Sequence, residues 1–325
     1  MQKSLSIHIL RNKCLVNNLT AAFFFLITVA SPLYAQNKNG PDKPRASDNQ
    51  CITMFQNGFI NWSDGYISAT GRAGPDENGG TISPESIPGA AKADAIRNLV
   101  TILKTIKISK KTVKEKLGPN HEVMAGIEKT ASDASVARQY YTSDTAMVIK
   151  LKAPIRGGFL QLVLPDEIRE IPRVKQIDKE TESGKIKKEV EHTGLVIDAR
   201  ALDFEPVLNP AVFSEKGDQI YGSLFISREY AVQFGVAKYL CTIEAAMEDQ
   251  RTGPNPITLK GLRKGHENEN AIIIKNADAQ KVEKAAERHT FLKKCAVIIV
   301  LGEKSCCQSA GSCRSAPQVP QEKVP

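Results

Sequence analysis

Two stretches decide the fold: GFINWSDGYISATG, residues 58–71, and AAKADAIRNLVTILKTIK, residues 90–107. In the first, Asp64-Gly65 is a favoured two-residue hairpin loop, because a type I′ turn needs positive φ at both central positions; Gly accepts this freely and Asp tolerates it. That loop sets a register in which Ser63 faces Tyr66, Trp62 faces Ile67, Asn61 faces Ser68 and Ile60 faces Ala69. One face then carries Ile60, Trp62, Ile67 and Ala69 and is the face to bury. The other carries Asn61, Ser63 and Ser68, with Phe59 and Tyr66 interspersed.

The second stretch has helical period. At about 100° per residue, Ala91, Ala95, Ile96, Leu99, Ile102, Leu103 and Ile106 fall within an arc of roughly 140°, opposite Asp94, Arg97, Asn98, Thr101, Lys104 and Thr105. Ala91 and Ala95 let the first turns of this helix approach a sheet closely. Hairpin and helix form one α/β unit with no evident reaction chemistry.

The 325 residues suggest about two domains, and ordinary apolar and charged fractions place the chain among globular proteins. Lys3, Arg11 and Lys13 precede an apolar run, Leu19 to Ala30, and Leu33-Tyr34-Ala35 fits a small-residue cleavage site. Residues 1–35 therefore read as a secretory signal peptide, and the protein is expected to be exported and periplasmic. The run is short for a spanning helix. Cleavage would remove three cations and take the formal charge from +8 to +5. The remaining cations are scattered, with no basic block interleaved with aromatics, so nucleic acid is not expected as a partner.

Beyond residue 35 stand Cys51, Cys241, Cys295, Cys306, Cys307 and Cys313. In an oxidising compartment these predict disulfides, with 15 connectivities open. A soft-metal site from Cys295, Cys306, Cys307 and Cys313 is the weaker alternative, since zinc sites bring paired ligands from both sides.

Residues 36–54 read as a flexible leader and 55–165 as the first domain. Within it, the loop after Gly71 lacks the Lys-Ser/Thr of a P-loop, short helices are expected at 111–117 and 122–127, and a half-buried strand at 147–151 runs to Arg156-Gly157-Gly158, where the chain turns into FLQLVLP. Residues 166–192 read as a linker or exposed hairpin and 193–302 as a second α/β domain. There GLVID (194–198) is a strand, AVFSEKGDQIYGS (211–223) a hairpin, and Ser227 the cap of a helix through Tyr230, Phe234 and Leu240. AIIIK (271–275), a helix capped by Asn276, and CAVIIVL (295–301) predict a closing parallel βαβ unit. Residues 303–325 read as a disordered, Cys-containing tail. The fold class expected is α+β or α/β, with small mixed sheets each packed by helices.

A Trp-containing first strand ending in xAxG, an A-x-x-x-A-x-x-x-L-x-x-I helix and a Y-Y-x-x-D-T-x-x-V-x-L strand occur in that order over about residues 55–165. The residues are Trp62, Ala69, Gly71, Ala91, Ala95, Leu99, Ile102, Tyr140, Tyr141, Asp144 and Val148. This pattern resembles the N-terminal domain of flagellar assembly protein T and related flagellum-associated outer-membrane lipoproteins. The resemblance implies a noncatalytic role in organising envelope structures, with peripheral outer-membrane association. The chain lacks the lipobox of the lipoprotein members.

Reaction motifs are missing. His121-Glu122 starts like a zinc-protease helix, but the fourth residue after His121 is Ala125. There is no G-x-S-x-G elbow, and Cys295 with His289 reads as structural. No catalytic residue, cofactor or metal is expected. Because ligands of open α/β sheets bind beyond the carboxyl ends of parallel strands, Asp198, Arg200 and Asp278 are the candidate ligand-binding residues; Asp198 paired with Arg200 is the plainer account. The function expected is an accessory or scaffold component of a cell-envelope assembly, flagellar if the resemblance holds, working through envelope-protein contacts. The alternative is a periplasmic small-ligand-binding protein or hydrolase with its site at the strand ends of the second domain.

Overall fold

The computed structural model describes residues 50–74, 85–168, 191–265, 270–288 and 290–308. The signal segment, most of the leader, the 169–190 linker and residues 309–325 lie outside them. In chain order the elements are β1 (Ile52–Phe55), β2 (Gly58–Asn61), β3 (Tyr66–Ala73), α1 (Ile87–Thr105), α2 (Val113–Leu117), α3 (His121–Ser132), β4 (Ser135–Tyr141), β5 (Met147–Pro154) and α4 (Gly158–Val163). There follow β6 (Gly194–Ala199), β7 (Ala211–Ser214), β8 (Gln219–Tyr221), α5 (Arg228–Phe234), β9 (Lys238–Leu240), α6 (Ile243–Glu248), β10 (Pro256–Lys260), β11 (Arg263–Lys264), β12 (Ala271–Ile274), α7 (Asn276–Arg288), β13 (Val297–Leu301), α8 (Glu303–Cys306) and β14 (Cys307–Gln308). The class is mixed α+β with several small sheets, as the patterning implies.

The first sheet has the order β14-β1-β2-β3-β5-β4, and α1 packs on its inner face. Ala91, Ala95, Leu99, Ile102, Leu103 and Ile106 are buried, as the helical stripe predicts; Ile96 is only partly so. Contact is closest at Gly71, where a Cβ would lie 2.1 Å from the Ala95 nitrogen and 2.3 Å from the Ala91 carbonyl oxygen. Any side chain there would push the helix off the sheet.

The hairpin register differs from the Asp64-Gly65 expectation. Asn61 faces Tyr66, Ile60 faces Ile67 and Phe59 faces Ser68, leaving Trp62 to Gly65 as a four-residue loop. The Asn61 side chain holds this loop: its Oδ1 accepts Asp64 N–H at 2.9 Å and its Nδ2 donates to Asp64 Oδ2 at 3.1 Å. Gly65 N–H donates to Asn61 C=O and Gly65 takes φ +73°. Each residue is displaced by two from its expected partner, and a shift of two preserves the faces. Ile60, Ile67 and Ala69 are therefore still the buried set, and Trp62 is buried from the loop.

Several other expectations are corrected. FLQLVLP opens as the short helix α4. Ile52–Phe55, of which Ile52–Met54 fall in the expected leader, form β1, and the start of the tail forms α8 and β14, with β14 parallel to β1. The helix after Ser227 stops at Gly235, whose φ of +83° ends it, so Leu240 lies in β9. Asn276 sits inside α7 rather than capping it, and its Oδ1 accepts Lys216 N–H from the β7–β8 turn at 3.3 Å.

The closing strand-helix-strand segment is present, but its strands enter different sheets. One sheet, β10-β6-β13-β9, is parallel throughout; the other is β11-β12-β7-β8, with β12 parallel to β7. β12, α7 and β13 therefore do not form a βαβ crossover within one sheet. Apolar residues from both halves merge into one hydrophobic core.

Replacing fully buried Leu103 by Asp puts an unpaired carboxylate under this sheet and should cost at least about 3 kcal/mol. An unchanged melting temperature in Leu103→Asp would refute the packing of α1.

Candidate functional site

Asp198 stands near the end of β6 and Arg200 in the turn just after it, and they pair with each other. Arg200 Nε donates to Asp198 Oδ1 and Nη2 to Oδ2, both at 2.9 Å, while Arg200 N–H adds a third bond at 3.1 Å. The guanidinium holds the Asp198 carboxyl below its ordinary pKa. Asp278 lies in the first turn of α7, after a strand of the other sheet. The predicted trio thus splits into a closed ion pair and a separate helix residue. His121 is exposed at the start of α3, and His289 lies outside the described residues. Among the described residues, no three His, Cys, Asp or Glu side chains converge into a metal-holding group.

A partly buried polar cluster surrounds Arg251, which sequence reasoning missed because nothing local marks it. Arg251 Nε donates to Cys295 C=O at 2.8 Å, Nη1 to Phe234 C=O at 2.7 Å and Nη2 to Gly235 C=O at 2.5 Å. The guanidinium therefore joins the carbonyl end of α5 to the entrance of β13. Burial pulls its pKa below the ordinary arginine value, though arginine keeps its charge in proteins. Beside it, burial pushes the Cys295 thiol up to about 11 and the Tyr221 phenol well above its usual value. Tyr221 Oη donates to Val236 C=O at 2.6 Å. A thiol held protonated is a poor nucleophile, so this cluster is suited to architecture.

Nearby, Trp62, Arg156, Phe234, Gly235 and Tyr239 help line a cavity of about 30 Å³. That is room for a water molecule or two, far below the roughly 300 Å³ at which small-molecule pockets begin. Its wall is a seam between the two halves of the chain. Ser63 Oγ accepts Cys51 N–H at 2.9 Å and donates to Tyr239 C=O at 2.7 Å. Trp62 meets the Tyr239 ring edge-on at 5.8 Å, and Tyr239 Oη donates to Val207 C=O at 2.7 Å. A disulfide, Cys241–Cys306, with Cα atoms 5.9 Å apart, ties the C-terminal segment to the end of β9. That segment carries β14 to the outer edge of β1.

The opposite edge of the same sheet is different. Among the described residues β4 has one strand neighbour, β5, and six of its seven residues are exposed. Val136 is 46% and Tyr141 60% exposed. On the face away from α1, cross-strand pairing groups Tyr66, Ser68, Thr70 and Arg72 of β3 with Lys150 and Lys152 of β5 and Arg138 and Tyr140 of β4. The Lys152 ammonium lies 3.8 Å from the Tyr66 ring centroid and Arg138 stands over the Tyr140 ring. Arg72 pairs with Asp144. This basic, aromatic face and its edge strand form the candidate contact surface.

Residues 194–303, under half of the chain, match a family described as Treponema pallidum Tp0624, second domain. The match falls on the second half, outside residues 55–165, and it does not link the chain to flagellar assembly protein T. No curated protein matches the chain. Among the described residues no helix is long and apolar enough to cross a membrane.

Arg251→Met keeps the length of the side chain and strands three carbonyls. We expect a loss of about 3–5 kcal/mol, read as a lower urea midpoint; an unchanged midpoint would contradict the cluster. The fully buried Cys295 thiol has a folded pKa of about 11 against 9.0 without burial. Its contribution is complete below pH 9 and is lost as pH rises toward 11, an alkaline destabilisation of about 2–3 kcal/mol. Cys295→Ala should flatten that limb between pH 9 and 11. An equally steep fall in the variant would assign the loss to other groups.

Proposed function

We propose that this protein is a noncatalytic, exported component of a cell-envelope assembly that works by holding other envelope proteins. The observation that carries this reading is β4, an edge strand exposed through most of its length beside a basic and aromatic sheet face. An exposed edge is a ready template for another chain. The disulfide supports export, since such bonds persist in oxidising compartments. The sequence resemblance over residues 55–165 supports a flagellar setting, with peripheral association at the outer membrane.

The interior supports a noncatalytic role. Tyr221 and Arg251 donate to backbone carbonyls, and Asp198 is paired with Arg200. The small cavity at the seam gives a ligand-binding reading no support of its own.

Site-specific photocrosslinking in intact cells tests the proposal. A photoreactive residue at Tyr141 should give a discrete higher-mass adduct, whereas one at exposed Lys281 on α7 should not. If both positions return monomer alone, the scaffold reading falls.

A further inference from the structure

The seam cavity is too small for a whole ligand, but its wall is suited to part of one. Arg156 is fixed there from both sides. Ile155 N–H donates to Gly65 C=O of the hairpin loop at 2.9 Å, and Gly157 N–H donates to Val232 C=O of α5 at 2.8 Å. The Arg156 side chain lies along the loop: a Cβ on Gly65 would stand 2.7 Å from its Nε, so glycine at that position makes the space the guanidinium uses. Among the described residues lining the cavity, Arg156 alone is charged. Trp62 and Tyr239, also in the wall, spend their polar atoms on Thr53 Oγ1 and Val207 C=O. Asp64, next to Gly65, gives its carboxylate to Asn61 and Gln50, each at 3.1 Å. Among the described residues Arg156 donates to no acceptor and joins no ion pair. Arg251 binds the carbonyls of Phe234 and Gly235, two residues of the same wall. Burial lowers the Arg251 pKa and the charge on Arg156 lowers it further, so the two cations feel each other across that wall.

From this placement we propose that the seam cavity is a carboxylate subsite, in which the carboxyl group of an apolar acid takes the room of about two waters and meets the Arg156 guanidinium. A carboxylate presents two oxygens, which a guanidinium engages by parallel bonds. Sulfate or phosphate, with more oxygens, exceeds the room. Phe234 belongs to the wall yet is 41% exposed, and its ring stacks on Tyr230 with centroids 6.2 Å apart. The apolar body of the acid therefore lies at the surface against these rings, outside the cavity. Such an acid arrives free or as the carboxy terminus of another protein, and the chemistry of the subsite is the same for both. The inference goes beyond the envelope reading and does not use β4.

Trp62 is the only tryptophan of the chain and lines the cavity, so its emission in the purified full chain reads occupancy. N-acetylphenylalanine should shift it saturably. The matching amide, which lacks the charge, should bind at least about tenfold more weakly, and so should the acid to Arg156→Gln. Arg156→Lys keeps the charge without the fork and should fall between. Should Arg156→Gln melt early, acid against amide on the unchanged chain makes the same comparison. The proposal is overturned if acid and amide bind alike, if a stably folded Arg156→Gln binds as before, or if neither compound moves Trp62 emission, which would leave a cavity for water alone. A decapeptide ending in phenylalanine separates the sources. Displacement of N-acetylphenylalanine by the free-carboxyl form and not by the amidated form makes a protein terminus the source, and failure of the free form makes it a small acid. Either result upholds the carboxylate.

Discussion

One buried hydroxyl is a point of contact between the two halves of this molecule, beside backbone bonds such as Gly157 N–H to Val232 C=O and Leu208 N–H to Lys107 C=O. Ser63 Oγ is 2% exposed as part of its residue, accepts a backbone N–H from Cys51 and donates to the Tyr239 carbonyl. It thereby ties β1, the hairpin loop and β9 at one point. A buried hydroxyl with both functions satisfied adds only about 1 kcal/mol net per bond, but an orphaned one costs more. The constraint is therefore chiefly on geometry. Trp62 and Ser63 must leave the hairpin ladder to reach Tyr239 and Thr53, and Trp62 Nε1 donates to Thr53 Oγ1 at 2.9 Å. The four-residue loop and the edge-on Trp62–Tyr239 contact go with that departure.

The same departure explains where residue patterns suffice and where they do not. Period and volume made α1 readable: Ala91, Ala95, Leu99 and Leu103 line its buried face, and Gly71 with the two alanines encodes the close approach of helix and strand. The apolar runs of β6, β12 and β13 were equally plain. Asp-Gly chemistry favours a tight turn, yet Asn61 and the contacts of Ser63 are worth more than the turn preference, and local sequence holds no trace of Tyr239. Periodicity also identifies a strand without identifying its sheet. AIIIK and CAVIIVL are alike as text, and only the partners β7 and β6 separate them.

The candidate site follows that division. Asp198 and Arg200 were readable as a pair because they stand two apart at the carboxyl end of a strand, and the structure pairs them through two guanidinium bonds. Arg251 was not, since its three acceptors lie on segments remote in sequence. β4 was marked only by Tyr140 and Tyr141. SVARQYY carries too few apolar residues at period two to announce a strand, which is what exposure at a sheet edge produces.

The two edges of the first sheet differ in how they are managed. At β1 the chain supplies its own covering strand, and a covalent bond fixes the segment that carries it. Closing a loop between residues 65 apart stabilises by roughly 4 kcal/mol in the chain-entropy model, far more than the two residue pairs of β14 and β1 could contribute alone. The closure therefore holds β14 in place rather than the reverse. At β4 the protection is a register irregularity in one half and charge beside it, devices that discourage indiscriminate pairing without occupying the edge. Cations on a strand edge repel copies of themselves and admit the opposite sign. Among the described residues the two edges of the sheet are therefore protected by different means. The rigidity of this sheet comes from α1 packed beneath Gly71.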